Sequence, residues 1–193
     1  MSARFNFPLF LTWLRIVAIP LFVALLYVPE DWLTERQGNI LSMWIFIAAA
    51  VTDWLDGWLA RRWNQTTSFG AFLDPVADKL MVAAALIVLT EKGLVHPFAS
   101  LIIIGREITI SALREWMAQI GKSKSVAVNF LGKVKTVAQL VAIPFLLFNG
   151  VLFGLFDTNS VGRLLLWIGV VITLLSMFVY LRAAFAIPPD PPK

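Results

Sequence analysis

The sequence predicts an all-α integral membrane protein of six transmembrane helices with a polar cavity opening at the cytoplasmic side. Three observations carry that expectation. Of 193 residues, 59% are hydrophobic and 15% charged, whereas soluble domains run about 45–50% apolar and about 25% charged. The mean hydropathy is +0.80. Apolar stretches close to the roughly 20 residues that cross a bilayer recur six times along the chain.

The first stretch runs from Phe7 to Val28, long for the apolar region of a cleaved signal and interrupted by Arg15. The others cover residues 40–59, 71–90, 94–112, 126–149 and 161–187. Polar and turn-forming residues separate them: Pro29-Glu30-Asp31, Arg61-Arg62-Trp63-Asn64, Glu91-Lys92-Gly93, Gly121-Lys122-Ser123-Lys124 and Asp157-Thr158-Asn159. Asp74 precedes Pro75, the order expected of a helix N-cap followed by a proline at the first helical position. The fourth stretch is the most polar, with Arg106, Glu107, Arg114 and Glu115 in its second half. Six spans leave room for loops but not for a second domain, so residues 1–193 read as a single transmembrane domain. The proline-rich end, 188–193, reads as a flexible tail.

Composition narrows the chemistry. There is no cysteine and one histidine, His96, which removes disulfides, thiol nucleophiles and Cys-ligated metals. The formal charge of +4 follows from basic cytoplasmic loops and does not point to nucleic acid. If Arg4 is inside, eight loop Lys and Arg fall on its side and three on the other. The positive-inside rule then places both termini in the cytoplasm. Arg15, Lys79, Arg106, Lys133 and Lys135 fall within or at the edges of spans, where ionisable groups are costly and line polar cavities.

Asp53 and Asp56 are spaced i, i+3 and Asp74 and Asp78 i, i+4, so each pair shares one helix face. Both pairs belong at the cytoplasmic ends of spans two and three, which a short loop joins. Four converging carboxylates repel one another unless cations neutralise them, and two divalent ions balance four negative charges. All-oxygen donors with no nearby His or Cys select hard ions such as Mg²⁺ or Mn²⁺. Gly57 and Ala60 on or beside that face let a ligand approach the backbone, and Arg61 offers a planar fork for phosphate oxygens. A divalent-cation transporter also explains intramembrane acids. Against it, the acids sit at one end of the spans and no pair of broken helices marks an inverted repeat.

The run Asp53-Trp54-Leu55-Asp56-Gly57-Trp58-Leu59-Ala60-Arg61, followed after eight residues by Gly70-Ala71-Phe72-Leu73-Asp74-Pro75-Val76-Ala77-Asp78, resembles the complete signature of the CDP-alcohol phosphotransferases. Further stretches are similar to the bacterial branch of that family that uses a glycerol phosphate acceptor: Asn6-Phe7-Pro8, Leu11-Thr12, Arg15, Arg106-Glu107, Ala112-Leu113-Arg114-Glu115-Trp116 and Gly132-Lys133-Val134-Lys135-Thr136. Only 28–39, 149–163 and the tail lie outside the resemblance. It implies transfer of a phosphatidyl group from CDP-diacylglycerol to sn-glycerol 3-phosphate with release of CMP, at the bacterial inner membrane, by a homodimer. It implies two divalent ions on Asp53, Asp56, Asp74 and Asp78, with Asp78 also the general base. It further implies a cytidine pocket at Gly57, Ala60 and Gly70, with Arg61 on the diphosphate.

Arg106, Arg114, Lys133 and Lys135 gather near the inner ends of spans four and five, with Arg15 able to join from span one. Such a cluster welcomes a phosphomonoester and repels choline or ethanolamine, which points to a phosphate-bearing acceptor. Inositol phosphate or serine are the other acceptors this class of reaction admits. Glu107 and Glu115 each adjoin an arginine and read as residues that orient it.

Overall fold

A computed structural model of the chain describes residues 6–63, 67–121 and 130–185; the side chains of residues 130–133 and 183–184 fall outside that description. The described residues form six helices, α1 (Phe7–Leu25), α2 (Glu35–Trp63), α3 (Ser68–Glu91), α4 (Pro97–Gln119), α5 (Phe130–Phe148) and α6 (Thr158–Phe185). The 188–193 tail lies outside the described residues.

Local chemistry starts these helices. Asn6 Oδ1 accepts from the N–H of Leu9 at 3.1 Å to cap α1, and Thr34 and Gln37 exchange hydrogen bonds ahead of α2. The start of α3 differs from the sequence expectation. Asp74 is not its cap; Thr67 is, its hydroxyl accepting from Gly70 N–H at 3.0 Å. Pro75 lies inside the helix, where it removes one backbone donor. His96 caps α4, its Nδ1 accepting from Phe98 N–H at 3.3 Å.

Between α5 and α6 the sequence predicts no element, yet Val151–Leu152 (β1) and Phe156–Asp157 (β2) pair antiparallel. The turn between them holds Phe153 at φ 53° and Gly154 at φ 69°, and Leu155 N–H donates to the Leu152 carbonyl at 3.1 Å. Two successive left-handed residues match the twist of a tight hairpin.

One apolar core draws on every helix: Phe22 (α1), Phe46 (α2), Leu86 (α3), Ile103 (α4), Leu146 (α5) and Leu166 (α6). Around it the usual distribution of polarity is inverted. Thr12, Arg15, Ser42, Arg106, Lys135, Gln139, Thr173 and Ser176 are buried, while Val17, Leu21, Ile87, Leu101, Ile108 and Phe178 lie exposed on the outside. That is the distribution a lipid solvent selects. Among the described residues three helices, α1, α2 and α6, are long and apolar enough to cross a membrane. In α5 the apolar stretch Val134–Phe148 is shorter, and α3 and α4 each carry a charged half.

Successive helices run antiparallel. Arg15 near the start of α1 meets Asp53 and Asp56 near the end of α2, and Thr12 meets Asp74 near the start of α3. At the other end of the bundle Tyr27 donates to Glu91 and Lys92 pairs with Glu35 at 3.1 Å. The helix halves that carry the acids and the bases therefore share one end.

Close packing uses glycine at two contacts. A Cβ on Gly38 would sit 2.7 Å from the Leu25 carbonyl oxygen, and one on Gly162 would sit 2.8 Å from the Leu146 side chain. Gly105 has nothing within 4 Å. We predict that Gly38→Ala and Gly162→Ala each lower stability by about 1–3 kcal/mol, whereas Gly105→Ala is neutral or gains up to about 1 kcal/mol. Thermal melts of the three purified variants in one detergent check this ordering.

Candidate active site

The acidic end is built by three helices. Arg15 of α1 is 2% exposed and spans the first acid pair, donating from Nη1 to Asp53 Oδ1 at 2.5 Å and from Nη2 to Asp56 Oδ2. Asp56 is buried and Asp53 half-buried. One turn earlier on α1, the Thr12 hydroxyl lies 2.6 Å from Asp74 Oδ1 and 3.2 Å from the Pro8 carbonyl. Asp78 makes no hydrogen bond or ion pair among the described residues, yet it lies within Coulombic range of Asp53, Asp74, Arg15 and Lys79. Asp56 is likewise within range of Asp53 and Asp74. The four acids therefore lie at one end of the bundle, with Asp56 and Asp78 each in Coulombic range of Asp53 and Asp74. The structure places Arg15 among them rather than among the other bases, where the sequence reading had it.

Beside the acids a cleft of about 140 Å³ opens between α1, α2 and α3. Its lining includes Gly57, Ala60, Arg61 and Gly70, the four residues the sequence groups as a nucleotide pocket, together with Asp74, Thr12 and Asn6. Gly57 lies against the Arg61 guanidinium, a Cβ there falling 3.6 Å from Nη1. Gly70 lies against Thr67 Oγ1 at 3.0 Å by the same measure, so the helix cap and the cleft wall are one structure.

The basic residues form a second group across α4, α5 and α6. Lys135, 3% exposed, donates to Glu107, which also accepts from Arg106 Nη1 at 3.3 Å. Arg106 Nη2 donates to the Ser176 hydroxyl at 3.1 Å and Arg114 Nη2 to the Tyr180 hydroxyl at 3.1 Å. Lys79 is within Coulombic range of Arg114, and Lys135 of both Arg106 and Lys79. The side chain of Lys133 lies outside the described residues. Glu107 orients bases, as the sequence suggests.

The two groups meet on adjacent residues, Asp78 and Lys79 of α3. Among the described residues no three His, Cys, Asp or Glu side chains are spaced to chelate an ion by themselves. The donor chemistry nevertheless fits Mg²⁺ or Mn²⁺. Such ions are commonly held by one or two carboxylates plus substrate phosphates rather than by an all-protein cage, and the cleft that would take a diphosphate includes Asp74 in its wall.

The family model described as CDP-alcohol phosphatidyltransferase matches residues 5–175. The chain belongs to that family. It is 49% identical over 187 residues to the CDP-diacylglycerol–glycerol-3-phosphate 3-phosphatidyltransferase of Escherichia coli (strain K12), covering 95% of this chain and 97% of the relative. The protein of that name from Shigella flexneri serotype 5b (strain 8401) matches at the same identity and coverage. That from Salmonella typhimurium (strain LT2) is 49% identical over 185 residues, 94% of this chain and 96% of the relative. Membership in a phosphatidyltransferase family decides against the cation transporter.

Sequence reasoning gave no role to three groups that organise the polar end, although Thr12 lies in a stretch that carries the family resemblance. Thr12 is a small hydroxyl in an apolar run, and Ser176 and Tyr180 lie inside the most apolar helix. No spacing rule joins them to acids or bases 62 to 70 residues away. The signal that could have found them is polarity at membrane depth, the criterion that singled out Arg15.

Arg15 is the counter-cation of a buried acid pair, so its loss strands charge. We predict that Arg15→Met destabilises the chelated protein by about 3–5 kcal/mol, toward the lower figure because Asp53 is partly exposed. Millimolar Mg²⁺ should restore part of the loss by binding the freed carboxylates. Melts of wild type and variant with chelator and with Mg²⁺ check both halves.

Proposed function

We propose that this protein transfers the phosphatidyl group of CDP-diacylglycerol to sn-glycerol 3-phosphate, forming phosphatidylglycerol phosphate and releasing CMP. The observation that carries this reading is the junction at Asp78 and Lys79, where an acidic site beside a small-residue cleft adjoins a basic site. One end suits a nucleoside diphosphate with its cations, the other a phosphate monoester. The activity for which the relatives are named, with similarity across more than nine-tenths of the chain, supports the same pair of substrates.

In this reading Gly57, Ala60 and Gly70 let the cytidine approach the backbone of α2 and α3, and Arg61 forks onto the diphosphate. Asp53, Asp56, Asp74 and Asp78 would hold two divalent cations, Mg²⁺ or Mn²⁺. When bound, these ions neutralise the diphosphate and the leaving CMP. Arg15 and Thr12 keep Asp53, Asp56 and Asp74 in register from α1. Asp78, which makes no hydrogen bond among the described residues, takes the proton of the acceptor hydroxyl. Arg106, Arg114, Lys133 and Lys135 receive the acceptor phosphate. The chain has no Cys, and His96 lies at the far end of the bundle. Direct attack by the acceptor, without a phosphatidyl-enzyme intermediate, uses only groups already in place.

The same reading takes the six helices as six spans of one domain over residues 1–193. It opens the cavity and both termini to the cytoplasm at the bacterial inner membrane, and it pairs the protein as a homodimer.

Purified protein given Mg²⁺, CDP-diacylglycerol and one acceptor at a time should release CMP with sn-glycerol 3-phosphate and not with inositol phosphate or serine. Release only with another acceptor would overturn the assignment. Asp53→Asn and Asp74→Asn should reduce CMP release to background while the protein still inserts in the membrane; near-normal turnover in either would remove the cation mechanism. Lys135→Ala and Arg114→Ala should raise KM for glycerol 3-phosphate roughly 10- to 150-fold, the equivalent of losing a hydrogen bond to a charged group. KM for the lipid substrate should move much less. Steady-state kinetics with each substrate varied in turn checks this split.

A further inference from the structure

We propose that α6 forms a working wall of the acceptor pocket, with Tyr180 and Ser176 as positioning residues that set Arg106 and Arg114 for one phosphate monoester. This inference rests on the acceptor reading above.

Arg106 and Arg114 are eight residues apart on α4, which separates their backbones by about 12 Å along the helix. Two arginines so placed grip one small anion only if something draws their heads together. Tyr180 does so. Its ring centre lies 5.6 Å from the guanidinium carbon of Arg106 and 5.4 Å from that of Arg114. These distances suit a cation held over an aromatic face. Each guanidinium is also tied to α6 by a hydroxyl, Arg106 to Ser176 and Arg114 to Tyr180, both at 3.1 Å. Ser176 and Tyr180 are spaced i, i+4, so both hydroxyls rise from one face of α6.

The rack is rigid. Tyr180 is 4% and Ser176 1% exposed, and the Tyr180 ring is packed with Ile110 and Met117 of α4. What the rack leaves open points to a ligand. The Nε–H groups of Arg106 and Arg114 are buried with no hydrogen-bond partner among the described residues, a costly condition for donors on a charged group. Glu107 is the one carboxylate in contact with the cluster among the described residues; it pairs with Arg106 and Lys135, and Arg114 has none. A dianion with several acceptor oxygens, entering between the two arginines, satisfies both orphan donors and the unpaired charge. If Tyr180 served packing alone, its loss would weaken the whole fold without favouring one substrate.

The test is steady-state kinetics of wild type, Tyr180→Phe, Tyr180→Leu and Ser176→Ala in Mg²⁺ with CDP-diacylglycerol, each substrate varied, with a thermal melt of every variant. Tyr180→Phe keeps the ring and loses one hydroxyl, so KM for glycerol 3-phosphate should rise about tenfold. Tyr180→Leu should raise it further, by about 100-fold, as both arginines lose their platform. Ser176→Ala should resemble Tyr180→Phe. KM for CDP-diacylglycerol should stay close to wild type throughout, and the partial recovery from Leu to Phe is the conservative rescue. Unchanged acceptor KM in these variants, or parallel rises for both substrates, overturns the proposal. If Tyr180→Leu does not fold, Tyr180→Phe and Ser176→Ala decide by the same criterion. A wild-type protein that makes no CMP with glycerol 3-phosphate refutes the acceptor reading and this inference with it. A working wild type with indifferent variants refutes this inference alone.

Discussion

Carboxylates gathered at one end of a helical bundle repel one another, and the polar end of this protein is arranged around that repulsion. Asp53, Asp56, Asp74 and Asp78 come from two helices, and Asp56 and Asp78 each lie in Coulombic range of Asp53 and Asp74. Helices two and three cannot bring them together unaided. The missing partner is α1, whose Arg15 reaches both members of the first pair and whose Thr12 reaches the second. α1 packs against α2 and α3 alike. Its place in the bundle is thus fixed by electrostatics at one end and by Phe22 in the apolar core at the other. A buried ion pair of this kind adds little net stability, since desolvation offsets its attraction. What it adds is position, because breaking it would leave charge stranded.

The same constraint explains why the polar residues crowd one end. A lipid solvent leaves no outside face for an arginine or an aspartate, so each must find a partner within the bundle. Alternating helix direction brings the start of α1, α3 and α5 beside the end of α2, α4 and α6. Polar side chains from six segments then satisfy one another across short distances. The remaining length of each helix is free to be apolar, and the core there is built mainly from Leu, Ala, Val, Phe and Ile. At the far end Lys92–Glu35 and Tyr27–Glu91 close the bundle with exposed contacts of little energetic weight.

Much of this was readable in the sequence, and the reasons are specific. Helix content follows from hydropathy, and the acid pairs announce themselves by i, i+3 and i, i+4 spacing, which places each pair on one face without knowledge of the fold. Gly57, Ala60, Arg61 and Gly70 share the cleft because that spacing continues along the same helices. The errors came from rules that compete. Asp74 before Pro75 is a good cap by local preference, but Thr67 lies upstream and caps first, and the helix runs through the proline. Arg15 carries the right charge for the acceptor group, yet chain direction places it beside the acids. The hairpin at 151–157 is two residues per strand, below the length at which alternation can be seen. Long-range pairs such as Arg106–Ser176 and Arg114–Tyr180 depend on how α4 crosses α6, which no single-helix periodicity encodes.

Each charged group contains one residue of the opposite sign, and this has a functional sense. Arg15 sits among the acids and Glu107 among the bases. Without them the two groups would attract each other across the boundary at Asp78 and Lys79 and close the space that two substrates need. With Arg15 satisfied by Asp53 and Asp56, the acidic group keeps an excess of negative charge for cations. With Glu107 shared by Arg106 and Lys135, the basic group keeps an excess of positive charge, which in the proposed reading complements a phosphate dianion. Internal counter-ions lower the net charge of each group, and in the proposed reading bound ligands complete the neutralisation. The two groups stay separate yet adjacent, which is the geometry an acceptor hydroxyl needs to reach a phosphorus held next door.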